Sequence, residues 1–232
     1  MYDIHTHILP NTDDGSDSVE LSLKMLREEA EQGIKGIVLT PHFYADSDTP
    51  EGFMARRAKA KKELDSRIHE VGNCPKLILG AEVHFYPGMS RSESLRELTI
   101  GSTDHILVEM PFRTWNRNYV REIRDIGNNL NLQVVIAHID RYLDRDKDLL
   151  DELIYDTGAL MQVNAEGFTS RRTRRRMQRL LKEGSIHFIG SDCHNMTTRK
   201  PDIQDALKQL RKAEKALEQI CVRSSALFTE DI

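Results

Sequence analysis

The chain has 232 residues with 39% hydrophobic content, enough for one large core, and residues 1–232 are expected to form a single domain. Its formal charge of -4 gives no electrostatic reason to expect nucleic acid or an acidic membrane surface as partner. No charged-then-apolar signal segment opens the chain, and no apolar run approaches the roughly 20 residues that span a bilayer, so a cytoplasmic protein without membrane insertion is expected.

Short β-rich runs alternate with longer charged amphipathic stretches. In chain order the pattern predicts strand Tyr2–His5, helix Ser18–Gln32, strand Gly36–Thr40, helix Phe53–Val71 and strands Leu77–Glu82 and Ile106–Met110. Helix Asn118–Asn129, strand Gln133–His138, helix Asp146–Tyr155 and strand Leu160–Asn164 come next. Helix Arg171–Lys182, strand His187–Ser191 and helix Pro201–Ile220 complete the series. Such alternation implies an α/β protein with a parallel sheet. No linker rich in Pro, Gly or Ser divides it, and no repeat is evident.

Polar residues follow nearly every strand. His5 and His7 end the first; His42 follows the second, Glu82 the third, Glu109 the fourth, His138 the fifth, and Asp192 and His194 the last. In a barrel the C-terminal strand ends converge on one rim, whereas in an open sheet they would be strung out. A closed or nearly closed barrel is therefore expected. The HxH at its start and the DxH at its end each place two donors on one strand face, able to grip one ion. Imidazole and carboxylate donors without a required thiolate suit Mn(II), Fe(II) or Zn(II). Asp14, in the turn Asp13-Asp14-Gly15, is a ninth candidate ligand, although a turn or capping role is its ordinary alternative. The cysteines Cys74, Cys193 and Cys221 have no zinc-finger or CxxC rhythm and are expected as reduced thiols.

The segments DIHTHILPNTDDG, TPHF, GAEVHF, LVEMPF, IAHIDRY and SDCHN resemble the successive motifs of the PHP (polymerase and histidinol phosphatase) superfamily. The DDG opening, GAE, IAHIDRY and SDxHN with a downstream arginine most resemble its bacterial tyrosine-protein phosphatases of capsular and exopolysaccharide synthesis systems. The resemblance implies a distorted, TIM-like (β/α)7 barrel, the PHP fold, with three divalent ions, usually manganese. It implies that His5, His7, Glu82 and Asp192 hold one ion, Glu82, Glu109 and His138 a second, and Asp14, His42 and His194 the third. TPHFY here lacks a basic pair that follows the corresponding histidine in some relatives.

Such ions acidify a bridging water and polarise phosphoryl oxygens, so a metal-bound hydroxide is the expected nucleophile. Arg141, three residues past His138, and Arg199, five past His194, are the expected catalytic phosphoryl-binding guanidiniums and match arginines of the resembling family. The resemblance implies a metal-dependent protein-tyrosine phosphatase whose protein substrate is an autophosphorylated bacterial tyrosine kinase. A small-molecule phosphatase, such as a histidinol phosphatase, is the alternative, and a catalytically silent metal-binding module a third reading. Cys193 to Arg199 also fits the C-x5-R pattern of cysteine-dependent tyrosine phosphatases. Strand alternation, however, points Cys193 away from Asp192 and His194, and the loop is poor in glycine.

Several features have competing readings. The basic run Arg171-Arg172-Thr173-Arg174-Arg175-Arg176 is either a solvated helix face or a dock for acidic, phosphorylated peptide tails. His84 is a ligand or a rim histidine. Phe112, Trp115 and Tyr119 either line an aromatic pocket or anchor a helix. His69, His105 and His187 are expected to be structural or surface groups.

Overall fold

A computed structural model describes residues 1–210 and 213–228. It opens with β1 (Tyr2–Thr6) and α1 (Val19–Glu31), the helix capped by Ser18, whose hydroxyl accepts the Leu21 N–H at 3.3 Å. Strand β2 (Gly36–Leu39) fills the expected strand Gly36–Thr40, and a short further strand β3 (His42–Phe43) follows beyond its expected end. Helix α2 (Pro50–Arg67) starts with Thr49 as its cap and a proline in its first turn, where the missing N–H costs nothing. A divided strand gives β4 (Lys76–Leu79) and β5 (Glu82–His84). Then come β6 (His105–Glu109), α3 (Arg117–Leu130), β7 (Gln133–Ile136) and α4 (Lys147–Tyr155). The series closes with β8 (Leu160–Asn164), α5 (Ala165–Thr169), α6 (Arg174–Lys182), β9 (Phe188–Gly190), α7 (Ile203–Gln209) and α8 (Glu214–Ala226).

Every ladder between these strands is parallel, in the orders β1-β2-β4 and β3-β5-β6-β7-β8-β9. The breaks at Thr40-Pro41 and Gly80-Ala81 hand one ladder on to the other. The two ends of the series also meet: the Asp192 N–H donates to the His5 carbonyl at 2.8 Å and the His7 N–H to the Cys193 carbonyl at 2.9 Å. The result is a distorted, parallel-stranded α/β barrel, as the strand-end pattern implied.

Inside it, Ile4, Val38, Ile78, Leu107, Val135 and Phe188 form an apolar interior. Helical faces pack outside; on α3, Val120, Ile123, Ile126 and Leu130 recur at helical spacing and are buried. Tyr2 and Phe228, ring centroids 5.0 Å apart, close the end opposite the histidines.

Some boundaries differ from the sequence pattern. The expected helix Pro201–Ile220 is two helices, α7 and α8. The Leu210 N–H is shared between the carbonyls of Ala206 and Leu207, the tightening that ends a helix. The basic run enters its helix only at Arg174 rather than Arg171, and α2 passes into a 3-10 turn at Ile68–Val71. His138 lies outside β7, in a left-handed conformation. Among the described residues no helix is long and apolar enough to cross a membrane.

The closed end constrains Gly36 tightly. A Cβ there would lie 2.7 Å from Phe228 and 2.8 Å from Tyr2. Gly36→Ala is therefore expected to destabilise the fold by about 1–3 kcal/mol through overpacking. Urea unfolding should show a lower midpoint with an unchanged slope; an unchanged midpoint would contradict this packing.

Candidate metal centre

The sequence places donors at strand ends, and the backbone there is irregular in ways that aim them inward. In β1 the register to β2 slips between Asp3 and Thr6, a bulge that redirects side chains. The Thr40 hydroxyl fills the gap, accepting the Thr6 N–H at 2.9 Å and donating to the Thr6 carbonyl at 3.1 Å. His138 and Asp192 both take positive φ, 34° and 54°, which non-glycine residues seldom adopt outside constrained sites. Gly190 allows β9 to lie against β1, since a Cβ there would stand 2.6 Å from the His5 Cβ.

All nine candidate ligands meet at this rim. His5, His7, Glu82 and Asp192 have donor atoms within 4.8 Å of one another, as do His7, Asp14, His42 and His194, and His42, Glu82 and Glu109. His138 joins the last group: its Nε2 lies 2.9 Å from Glu82 Oε1 and 3.3 Å from Glu109 Oε1. Asp14 is the most exposed, with Oδ1 3.4 Å from His194 Nε2 and 3.5 Å from His42 Nε2.

The donor chemistry fits divalent ions. Glu82 Oε2 is buried without a hydrogen bond, although His42 Nδ1, His5 Nε2 and His7 Nε2 stand 3.0, 3.1 and 3.2 Å away. His5 Nε2 and His7 Nε2 face each other at 3.2 Å. His42 Nδ1 and His194 Nε2 are buried without hydrogen-bond partners too. Lone pairs gathered this way, with few hydrogen bonds among them, are what a shared cation would satisfy.

Neighbouring groups hold the imidazoles in place. His7 Nδ1 pairs with Asp13 Oδ2 at 2.6 Å, and Asp13 also accepts the His42 N–H at 2.9 Å. Gln162 Oε1 lies 3.1 Å from His5 Nδ1 and accepts the His138 N–H at 2.6 Å. His194 Nδ1 lies 3.0 Å from the Asp192 carbonyl. These contacts leave Nε2 of His5, His7 and His194 turned toward the donor cluster, the usual arrangement around a metal-ligating histidine. Asn164 donates to Asp192 Oδ2 at 2.9 Å. His84 Nδ1 pairs with Glu109 Oε2 at 2.9 Å, so it braces a carboxylate at the rim rather than joining the donor groups.

Gln162, Asn164, Asp13 and Asp3 were not singled out by sequence pattern. A signal existed for two of them: in Leu160-Met161-Gln162-Val163-Asn164 the polar residues share one face of a buried strand. Asp3 Oδ1 accepts the N–H groups of His5 at 3.2 Å and Ser191 at 3.0 Å, tying β1 to β9. Burial pushes both Asp3 and its neighbour Glu29 upward, Glu29 the more strongly.

Electrostatics divides the cluster. Burial favours neutral forms, yet the imidazoles around Glu82 outweigh it and hold that carboxyl well below the usual range. Burial likewise opposes protonation of His138, but its bonds to Glu109 and Glu82 prevail and raise it to about 9. His7 is raised well above normal, the Asp13 charge overcoming burial. His194 falls to about 4 through burial and repulsion from His7.

Both expected arginines reach one carboxylate. Arg141 Nη2 lies 2.6 Å from Asp192 Oδ2 and Arg199 Nη2 2.7 Å from Asp192 Oδ1. Phe112, half exposed, stacks near-parallel with His138 at 5.9 Å between centroids. Trp115 instead donates to the Pro111 carbonyl and packs on Tyr142, and Tyr119 packs on Phe85. Cys193 is fully buried with its thiol near Asp3 and Glu29, and burial pushes its pKa far up. A thiolate nucleophile has no route to substrate from there.

Known proteins resemble this chain along most of its length. Residues 1–227 match the family described as "Capsular polysaccharide synthesis, CpsB/CapC". The chain is 30% identical over 220 residues to tyrosine-protein phosphatase YwqE of Bacillus subtilis, covering 91% of this chain and 84% of that one. It is 30% identical over 233 residues to tyrosine-protein phosphatase CpsB of Streptococcus pneumoniae, covering 94% of each. Among solved structures, those of YwqE from B. subtilis and CpsB from S. pneumoniae, titled "unique metal-dependent tyrosine phosphatases", give a match with TM-score 0.79 and 28% identity, covering 95% of this chain and 94% of that one. A β-aspartyl dipeptidase from Fervidobacterium islandicum shares the fold at TM-score 0.51 and 12% identity, covering 98% of this chain and 74% of that one.

A proton balance tests the donor assignment. In metal-stripped protein His138 keeps its proton below about pH 9, and an imidazolium must lose it before that nitrogen can bind an ion. Mn(II) binding at neutral pH should therefore release protons, with affinity rising as pH approaches 9. Calorimetry in buffers of different ionisation enthalpy measures the release; zero release with pH-independent affinity would contradict it.

Proposed function

Because the chain belongs to the CpsB/CapC family of capsular polysaccharide synthesis, we propose that it is a metal-dependent protein-tyrosine phosphatase acting in that process. The observation that carries this reading is the meeting of Arg141 and Arg199 on Asp192 at the edge of the imidazole and carboxylate cluster. His5, His7, Glu82 and Asp192 would hold one ion, Glu82, Glu109 and His138 a second, and Asp14, His42 and His194 a third, with Mn(II) as the ion. Bound divalent ions supply Lewis-acid polarisation of phosphoryl oxygens and acidify a water.

The chain's own groups do the rest. Each guanidinium spends one N–H on Asp192 and is about one-third exposed, keeping donors for phosphoryl oxygens. Phe112 offers an apolar face beside the cluster on which a phenyl ring can rest. A phenolate, with a pKa of about 10, departs with less acid assistance than an alkoxide, so no dedicated general acid is demanded. The substrate in the cell would be an autophosphorylated bacterial tyrosine kinase, met in the cytoplasm.

Protein stripped of metal and reloaded with Mn(II) should release phosphate from a phosphotyrosine peptide and not from histidinol phosphate. Preference for histidinol phosphate, or full activity in chelator, would overturn the assignment. Arg141→Ala and Arg199→Ala should each lower kcat/KM by roughly 100- to 1,000-fold with metal content intact, while Cys193→Ser keeps metal-dependent turnover. Parallel steady-state kinetics and metal analysis check both; wild-type rates in the arginine variants would remove them from the mechanism.

A further inference from the structure

The basic run singled out in the sequence borders a groove that begins at the candidate active site. A cleft of about 460 Å³ is lined by Phe112 and Arg141 at one end and by Arg172, Thr173 and Arg176 at the other. Beside it lies a second cleft of about 430 Å³, bordered by Arg145, Lys147, Arg176 and Arg179. The two share Leu143, Asp144 and Arg176, so they adjoin as two lengths of a channel beside the start of α6.

The charges along this channel are unequal in their compensation. Arg145, Lys147 and Arg179 have carboxylate partners in Asp144, Asp151 and Glu183. Arg172 and Arg176 have none among the described residues, nor do Arg171, Arg174 and Arg175 beside them. Arg176 is positioned by donating to the Leu143 carbonyl at 2.8 Å, and the carboxyl of Asp140 is turned inward to accept the Asn164 N–H at 2.8 Å. Three arginines also open α6 with no acidic residue in its first turn, where the helix dipole already repels cations. In a chain of net charge -4, cations without carboxylate partners at one helix start make a local positive patch that attracts anions.

We infer that this channel receives acidic residues flanking the phosphotyrosine of the protein substrate, an inference that rests on the tyrosine-phosphatase reading above. With the phosphoryl group at Arg141 and Arg199 and the ring against Phe112, the adjoining peptide has a cation-lined path leading away from the site. Acidic side chains near the phosphotyrosine would pair with Arg172 and Arg176.

The test compares kcat/KM for a phosphotyrosine peptide flanked by Asp and Glu with that for the same peptide flanked by Asn and Gln, both with the Mn(II)-loaded chain. Wild type should prefer the acidic peptide by about fivefold or more at low salt, falling in high salt as screening removes the contacts. Arg172→Gln/Arg176→Gln should reduce that ratio to near unity. Arg172→Glu alone, which leaves the Arg176 bond to Leu143 in place, should do the same. Turnover of both peptides without acidic preference, or a preference untouched by these variants, overturns the groove while leaving the phosphatase intact. No turnover of either peptide overturns the phosphatase reading and the groove with it. If the variants instead lose sedimentation with anionic lipid vesicles while keeping the peptide preference, the run serves a membrane surface and the inference is wrong.

Discussion

One buried carboxylate organises the rim of this barrel. Glu82 has no exposed surface, and an isolated charge so placed would cost several kcal/mol, of the order associated with a buried unpaired ion. Imidazoles from distant parts of the chain surround it: His5 and His7 at the end of β1, His42 on β3 and His138 after β7. Its position follows from register, because His42 lies directly across from Glu82 in the β3–β5 ladder. The His42–Glu82 pairing therefore brings together two polar groups, while the next pair, Phe43 and Val83, is apolar and buried.

The local backbone departs from regular strand geometry wherever this cluster needs it. A bulge in β1, breaks at Thr40-Pro41 and Gly80-Ala81, and left-handed His138 and Asp192 all fall at the same end of the barrel. A left-handed non-glycine residue costs of the order of 1–3 kcal/mol and persists only where surroundings over-determine it. Here the surroundings are specific: Gln162 accepts the His138 N–H, and the His5 carbonyl accepts that of Asp192. The packed apolar interior below supplies a rigid base for these irregular turns.

Much of this was legible in the sequence because strand ends and barrel topology act together. Alternating β-rich and amphipathic segments located the strands, and donors following each strand implied convergence on one rim. What lay beyond reach were contacts whose meaning depends on a partner far along the chain. Gln162 reads as an ordinary strand residue until His5 and His138 are placed on either side of it. Asp13 beside Asp14 carries no label saying that one grips His7 Nδ1 while the other faces His42 and His194. The inward turn of Cys193 was anticipated by strand alternation, yet the left-handed Asp192 shows that the chain there is no regular strand. The expected helix Pro201–Ile220 misses the break after α7 because charged, helix-favouring residues continue across the point where α7 tightens and ends.

At the centre of the proposed function stands Glu82, a residue that would help to hold metal ions rather than merely neutralise histidines. The most direct measurement is the metal content of Mn(II)-loaded Glu82→Gln against wild type by elemental analysis, with circular dichroism to verify folding. The account predicts a folded variant that has lost more than one ion per chain together with phosphotyrosine turnover. A folded variant with the full wild-type metal content and activity would contradict it.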